Sequence, residues 1–278
     1  QKILMSIITL TTDYGIKDHF VASVKGKIMT ELPLVQIIDI SHCIDLYNIA
    51  NASYVLFGAY SNFPKGSLHM VLVEAEMFDQ TSFLLTKFND HFFLTANNGA
   101  ITLLATADDE TEIVDLNIPN SCNDTVSLYT HIAKQLFNNV PCSSLGTKIN
   151  YNDCELLVEL RPKVADDENS IRGSVIYIDH YGNAVTNISK DLFERIRNGR
   201  KYVINAVRYR ITKINEYYAD FNTDSKTLRE YEGDMLFIFN DLDFLQMSIY
   251  KSDYENVGNA KTLFGVSYRD TVIIEFTE

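Results

Sequence analysis

Ile7-Ile8-Thr9-Leu10-Thr11 is a β-branched apolar run that reads as a strand. It breaks at Thr12-Asp13-Tyr14-Gly15, a turn, after which Asp18 is placed to cap a helix. Phe20, Val24, Ile28 and Leu32 then recur every four residues, the spacing of one buried helical face, and Pro33 stops the pattern. Val35–Ile40 predicts a second strand. Ile49, Ala52, Val55, Leu56 and Ala59 outline a second helix, closed by the turn Phe63-Pro64-Lys65-Gly66, and Leu68–Val73 returns as a strand. Strand-helix-strand alternation predicts a mostly parallel sheet flanked by helices. Ligands of such sheets gather at the carboxyl ends of the strands. Asp13, Ser41-His42 and Glu74 each fall just past a predicted strand, which puts three polar clusters along one edge.

Residues 82–96 predict a β-hairpin turning at Asn89-Asp90, and Asn97-Asn98-Gly99 leads into a short helix. Val126, Tyr129, Ala133, Leu136 and Phe137 predict one more helix, ending at Asn138-Asn139. After residue 165 the pattern changes. Asp166-Asp167-Glu168-Asn169-Ser170 is a polar linker or boundary loop, and short alternating runs follow at Ser174–Ile178, Tyr202–Val207, Met235–Phe239, Leu245–Ile249 and Val272–Phe276. The expected organisation is an α/β domain over residues 1–165 and a smaller all-β barrel or sandwich over 166–278.

Charge narrows the function. The 278 residues carry a formal net charge of −13, and residues 1–160 hold 8 lysines and no arginine against 18 acidic residues. A nucleic-acid binder shows a basic stripe, and no such stripe is seen. No apolar run approaches the ~20 residues of a membrane span, and the opening Gln1–Ile8 lacks a cleavage-site pattern. Cys43, Cys122, Cys142 and Cys154 form no C-x-x-C pair and read as free buried thiols, hence a reduced, cytoplasmic setting. Neither G-x-G-x-x-G nor a Walker A pattern occurs, no G-x-S-x-G elbow marks a serine hydrolase, and no paired histidines offer a metal site.

Two stretches are more specific. The first is Ile8-Thr9-Leu10-Thr11-Thr12-Asp13-Tyr14-Gly15, continuing through Lys25-Gly26 to Ile38-Asp39-Ile40-Ser41-His42. The second is Tyr177-Ile178-Asp179-His180-Tyr181-Gly182-Asn183-Ala184-Val185-Thr186-Asn187-Ile188. With Phe63-Pro64-Lys65-Gly66, Asn97-Asn98-Gly99, Phe239-Asn240 and Tyr250-Lys251-Ser252, the chain resembles the S-adenosyl-L-methionine (SAM) hydroxide adenosyltransferase family, relatives of the fluorinases and chlorinases. The resemblance implies a homotrimer with SAM bound at a subunit interface, the first domain holding ribose and methionine and the second adenine. Asp13 matches the aspartate that accepts from both ribose hydroxyls, chemistry that an ionised carboxylate suits. Asp179 matches the acid on the methionine ammonium, Tyr181 the aromatic beside the base and Asn183 the residue reading the adenine edge. Tyr250 and Lys251 match a strand whose backbone meets adenine, and Asn98 belongs to a matched substrate-side motif. The resemblance implies no metal or organic cofactor, SAM being the substrate.

The chain also departs from the family. The family's hydrolases activate water with an aspartate, an arginine seven residues later and a histidine from a later stretch. In this sequence Glu74 replaces the aspartate, Thr81 stands where the arginine should be, no histidine matches near Asn123-Asp124, and Arg161 is the first arginine in the chain. Because the sulfonium already makes methionine a good leaving group, displacement at C5′ needs an aligned nucleophile and a base for water. Glu74 and Glu76 are the candidates, with Asp79 behind them. The expected activity is SAM hydrolysis to adenosine and L-methionine. A SAM- or adenosine-binding sensor, or an adenosyltransferase using another nucleophile, is the alternative.

Overall fold

The computed structural model describes residues 6–104, 111–251, 258 and 260–278, and these divide into two compact units, Gln1–Leu157 and Val158–Glu278. Ser252 of the Tyr250-Lys251-Ser252 match and the Gln1–Met5 opening lie outside the described residues.

The first unit runs β1 (Ile7–Thr12), α1 (Phe20–Glu31), β2 (Gln36–Ser41), α2 (Ile49–Tyr60), β3 (Leu68–Leu72), β4 (Phe83–Phe88), β5 (His91–Ala96), α3 (Ala100–Leu104), β6 (Glu112–Leu116), α4 (Thr125–Phe137) and β7 (Gly146–Ile149). Its sheet has the order β2-β1-β3-β5-β4-β6-β7. The β2-β1-β3-β5 half is parallel and the rest antiparallel. All six residues of β1 are buried, as a central strand covered on both faces requires. One face packs Ile8, Leu10 and Leu72 against Ile28 of α1 and Leu128 and Ile132 of α4. The other packs Val71 and Val73 against Leu56 of α2 and Ile101 of α3. Asn89 (φ 49°) and Asp90 (φ 63°) form the two-residue left-handed turn that joins β4 to β5.

Three local expectations change. His19, not Asp18, precedes α1, and it makes no side-chain cap. Only Val24 and Ile28 of the four-residue repeat are buried; Phe20 is 50% exposed and packs edge-on to Tyr14. Cys142 and Cys154 are buried free thiols, but Cys122 is half-buried and Cys43 is exposed, because Cys43 sits in the loop that leaves β2.

A buried polar chain crosses the sheet. Thr9 Oγ1 lies 2.7 Å from His69 Nδ1, and His69 Nε2 lies 3.0 Å from His91 Nδ1, walled by Tyr60 and Phe93. Burial, helped by the charge His91 would carry, pushes His69 down from 6.5 to about 3. The unfolded state therefore takes up this proton first as pH falls. Stability from this group is full above about pH 6.5 and is lost toward pH 3, by about 1.4 kcal/mol per pH unit. Urea melts between pH 7 and 4 should show that slope, and His69→Gln should reduce it by one proton. An unchanged slope would assign the proton elsewhere.

The second unit contains β8 (Lys163–Val164), β9 (Ser170–Ile178), β10 (Ala184–Ser189), α5 (Lys190–Arg197), β11 (Lys201–Ala206), β12 (Tyr209–Ile211), β13 (Met235–Phe239), β14 (Phe244–Ile249), α6 (Ala260–Phe264) and β15 (Thr271–Thr277). These strands form an antiparallel sheet of order β12-β11-β15-β9-β10-β14-β13, with β8 also on β9. It curls around Ile171, Phe193, Phe237, Leu245 and Ile274. The division at Leu157/Val158 lies upstream of residue 165, because Lys163 and Val164 pair with Arg172 and Ile171. The polar stretch from Asp166 is the loop between β8 and β9.

Candidate active site

The four parallel strands of the first unit end on one edge, and each end carries polar groups. Asp13 follows β1, His42 follows β2, Glu74 and Glu76 follow β3, and Asn97-Asn98 follows β5. The β1 and β2 ends are tied together. Thr12 Oγ1 lies 2.9 Å from His42 Nδ1, and the Gly15 N–H donates to the His42 carbonyl at 2.7 Å. His42 Nε2 lies 3.1 Å from Asp39 Oδ1. Among the described residues no three His, Cys, Asp or Glu side chains are grouped to hold a metal ion.

Asp13 is partly exposed, and its Oδ2 accepts the Tyr47 N–H at 2.9 Å. That contact fixes the carboxylate against the loop leading into α2.

Glu74 and Glu76 occupy different settings. Glu74 has a left-handed backbone (φ 46°), which costs a non-glycine residue about 1 kcal/mol. Asn98 braces that bend: its Nδ2 donates to the Val73 and Glu74 carbonyls at 3.2 and 3.0 Å, while its Oδ1 accepts the Ala100 N–H at 3.2 Å. Both ends of the Asn98 side chain are thus committed to backbone. Glu76, also exposed, lines a cavity of about 270 Å³ with Tyr14, Asn123 and Asp124; Glu74 is not on its wall. Asp79 is exposed, in the turn beyond Glu76.

The cavity assembles around the start of α4. Asp124 caps that helix by accepting from the Ser127 N–H (2.9 Å) and hydroxyl (3.0 Å), and it pairs with Lys27 at 2.8 Å. Although burial opposes ionisation, the Lys27 and Ser127 bonds hold its pKa below the usual carboxylate range. The Thr125 hydroxyl donates to the Ala75 carbonyl and pins the β3 loop to the helix. Tyr14 is pushed up by burial and then by the charges of Asp13, Glu76 and Asp124. Its phenol therefore stays protonated at neutral pH. Tyr14 stood in the sequence motif without a role, and its position directly after Asp13 was the available signal. Asp124 carried the capping pattern Asp-x-x-Ser.

In the second unit, Asp179 and Asn183 hold each other. Asp179 Oδ1 accepts the Asn183 backbone N–H, and its Oδ2 accepts the Asn183 side-chain amide, both at 2.8 Å. A carboxylate only accepts, so the Asn183 amide nitrogen is fixed toward it. Asn183 is 6% exposed, and its Oδ1 is buried without a partner among the described residues. Tyr181, at the tip of this hairpin, is 70% exposed. Tyr250 is buried against Tyr218 and Phe221; its N–H donates to the Asp234 carbonyl and its own carbonyl accepts the Gly233 N–H. Lys251 pairs with Glu232 at 2.8 Å. The structure thus groups Asp13, Glu74, Glu76 and Asn98 on one sheet edge, and within the other unit pairs Asp179 with Asn183.

Comparison with known proteins agrees with this architecture. Residues 8–146 match the model of the SAM hydroxide adenosyltransferase N-terminal domain, and residues 173–273 that of its C-terminal domain. The chain is 26% identical to an (R)-S-adenosyl-L-methionine hydrolase of Methanocaldococcus jannaschii, over 98% of this chain and 96% of that protein. A protein of the same name from Salinispora tropica is 24% identical over 67% of this chain and 74% of its own length. Among solved structures, an uncharacterized conserved protein from Thermotoga maritima shares the fold with a TM-score of 0.72 at 24% identity, covering 96% of this chain and 99% of that one. A conserved hypothetical protein from Thermus thermophilus does so with a TM-score of 0.70 at 18% identity, covering 98% and 100%.

Proposed function

The chain belongs to the SAM hydroxide adenosyltransferase family, and on that premise we propose that it hydrolyses SAM to adenosine and L-methionine. Asp13 receives the ribose diol, and Glu76 accepts the proton from the attacking water. As the oxygen bonds to C5′, the C5′–S bond breaks, its electron pair stays on sulfur, and methionine leaves as a neutral thioether. The observation that carries this reading is the cavity at the strand ends, where Glu76 faces Tyr14 and Asp124 next to Asp13. Glu76 there takes the proton-accepting part that the family's triad plays. Glu74, by its bent and braced backbone, shapes the loop that presents Glu76.

Asp179 is proposed to meet the methionine ammonium, with Tyr181 and Asn183 beside adenine. Asn183 has spent its donor group on Asp179, so it would offer adenine's exocyclic amine an acceptor. The backbone at Tyr250 and Lys251 would border the base. The proposed assembly is a cytoplasmic homotrimer, with no cofactor besides the substrate; four free thiols support a reduced setting.

Purified protein incubated with SAM should release adenosine and methionine in equal amounts, followed by chromatography. The missing Asp-Arg-His triad favours one other reading, a SAM sensor. SAM binding by calorimetry without products would establish the sensor and overturn hydrolysis.

A further inference from the structure

The second unit carries a cleft of about 410 Å³ bordered by Arg161, Lys163, Arg172 and Arg269, with Glu159 as its one carboxylate among the described residues. This is unusual in a chain of net charge −13, all nine of whose arginines lie at or beyond residue 161. Two cross-strand rungs build the cleft. Lys163 stands opposite Arg172 on β8–β9, and Thr271 stands opposite Ser174 on β15–β9. Arg172 and Ser174 are two residues apart on β9 and share its outer face, while Ile171, Gly173 and Val175 are buried on the other.

Like charges placed directly opposite on an antiparallel pair are destabilising. Among the described residues, neither Lys163 nor Arg172 has a carboxylate within ion-pair distance to relieve this pair. Glu159 comes only to 4.0 Å from Arg269. Arg269 is held in place by its backbone, whose N–H donates to the Val175 carbonyl at 2.8 Å, and its guanidinium lies over the Tyr268 ring at 5.5 Å. Its left-handed φ of 70° adds a further local cost. One electrostatic and one conformational penalty are thus kept at one cleft, and both hold cations beside hydroxyl-bearing side chains.

Arg161 is already engaged, but among the described residues Lys163, Arg172 and Arg269 against Glu159 still leave more positive charge than a single carboxylate ligand would neutralise. A phosphoryl group brings a charge of about −1.5 to −2 with three strong acceptor oxygens. Guanidinium forks match those oxygens two at a time, and the Ser174 and Thr271 hydroxyls are further donors. We propose that this cleft binds a phosphate-bearing ligand. It lies apart from the Asp179 hairpin: Ser174 and Asp179 are separated by five residues, roughly 16 Å along an extended strand.

Calorimetric titration of the full chain at constant ionic strength tests this with three probes: inorganic phosphate, pyrophosphate and adenosine triphosphate. At least one probe should bind, and Lys163→Gln/Arg172→Gln should weaken it at least ten-fold while Glu159→Gln tightens it several-fold. A triphosphate bound more tightly than pyrophosphate would identify a nucleotide; the reverse would identify a free oxyanion. Relief of the Lys163–Arg172 repulsion should also raise the melting midpoint of the unliganded double variant, with SAM turnover unchanged. The proposal fails if no probe exceeds a matched chloride control, or if the double variant binds as well as the parent. It fails equally if that variant instead dissociates an oligomer, since a second copy of the chain would then fill the cleft.

Discussion

Asp13→Asn should remove SAM binding while leaving the fold intact. On the proposed reading the carboxylate has two tasks, and the substitution separates them. Asp13 Oδ2 anchors the Tyr47 N–H at 2.9 Å, and an asparagine oxygen can keep that bond. The second carboxylate oxygen becomes an amide NH₂, which donates where the ribose diol needs an acceptor. Hydrogen bonds to a charged group contribute about 1.5–3 kcal/mol each. Losing two of them predicts a fall in affinity of roughly 10²–10⁴-fold. Calorimetry with SAM measures that loss, and the melting midpoint should move by no more than a few degrees. Asp13→Ala would lose the Tyr47 anchor as well, so its midpoint should fall further. An Asp13→Asn protein that binds SAM within threefold of the parent would exclude a ribose contact at this position.

The position of Asp13 at a strand end was legible because its neighbours obey simple periods. Ile7–Thr11 reads as a strand, the break at Thr12-Asp13 marks its end, and parallel strands present ligands at such ends. The β4–β5 hairpin was equally legible, since Asn89-Asp90 tolerates the left-handed turn that short hairpins need. Beyond that turn local pattern was silent. Nothing in the alternation says that β5 lies beside β3, or that β4, β6 and β7 extend the sheet in antiparallel sense, because pairing order is decided by distant contacts. Helix α5 escaped for another reason. Lys190–Arg197 is mostly charged, although its caps were readable: Ser189 accepts the Leu192 N–H, Asp191 lies in the first turn, and Asn198 ends it left-handed. In the site, the cavity joins Tyr14 and Glu76 to Asp124. Only the packing of α4 against the sheet places the Asp124 cap there, which no local spacing encodes. Asn98 shows the converse: its motif was readable, but its work as a brace on the β3 loop depends on the bend at Glu74.

Glu76→Gln should abolish turnover and spare binding. Glutamine nearly reproduces the size and hydrogen-bonding reach of the carboxylate but cannot take a proton from water. General-base assistance contributes about 10²–10⁴-fold to rate, so kcat should fall by that factor while SAM affinity, measured by calorimetry, stays within about twofold. Neighbouring groups do not supply a substitute. Tyr14 is kept protonated by burial and by the acids around it, and Asp124 is occupied by Lys27 and Ser127. Glu74→Gln provides the contrast. Its carboxylate is off the cavity wall, and the Asn98 bonds run to backbone carbonyls, which the substitution leaves in place. That variant should keep turnover near the parent level. The reversed pattern, with Glu74→Gln inactive and Glu76→Gln active, would move the base to Glu74. Full activity in both variants would mean that no carboxylate of this loop accepts the proton. Hydrolysis would then rest on alignment of water against a sulfonium that leaves unaided, a contribution that can itself reach several kcal/mol.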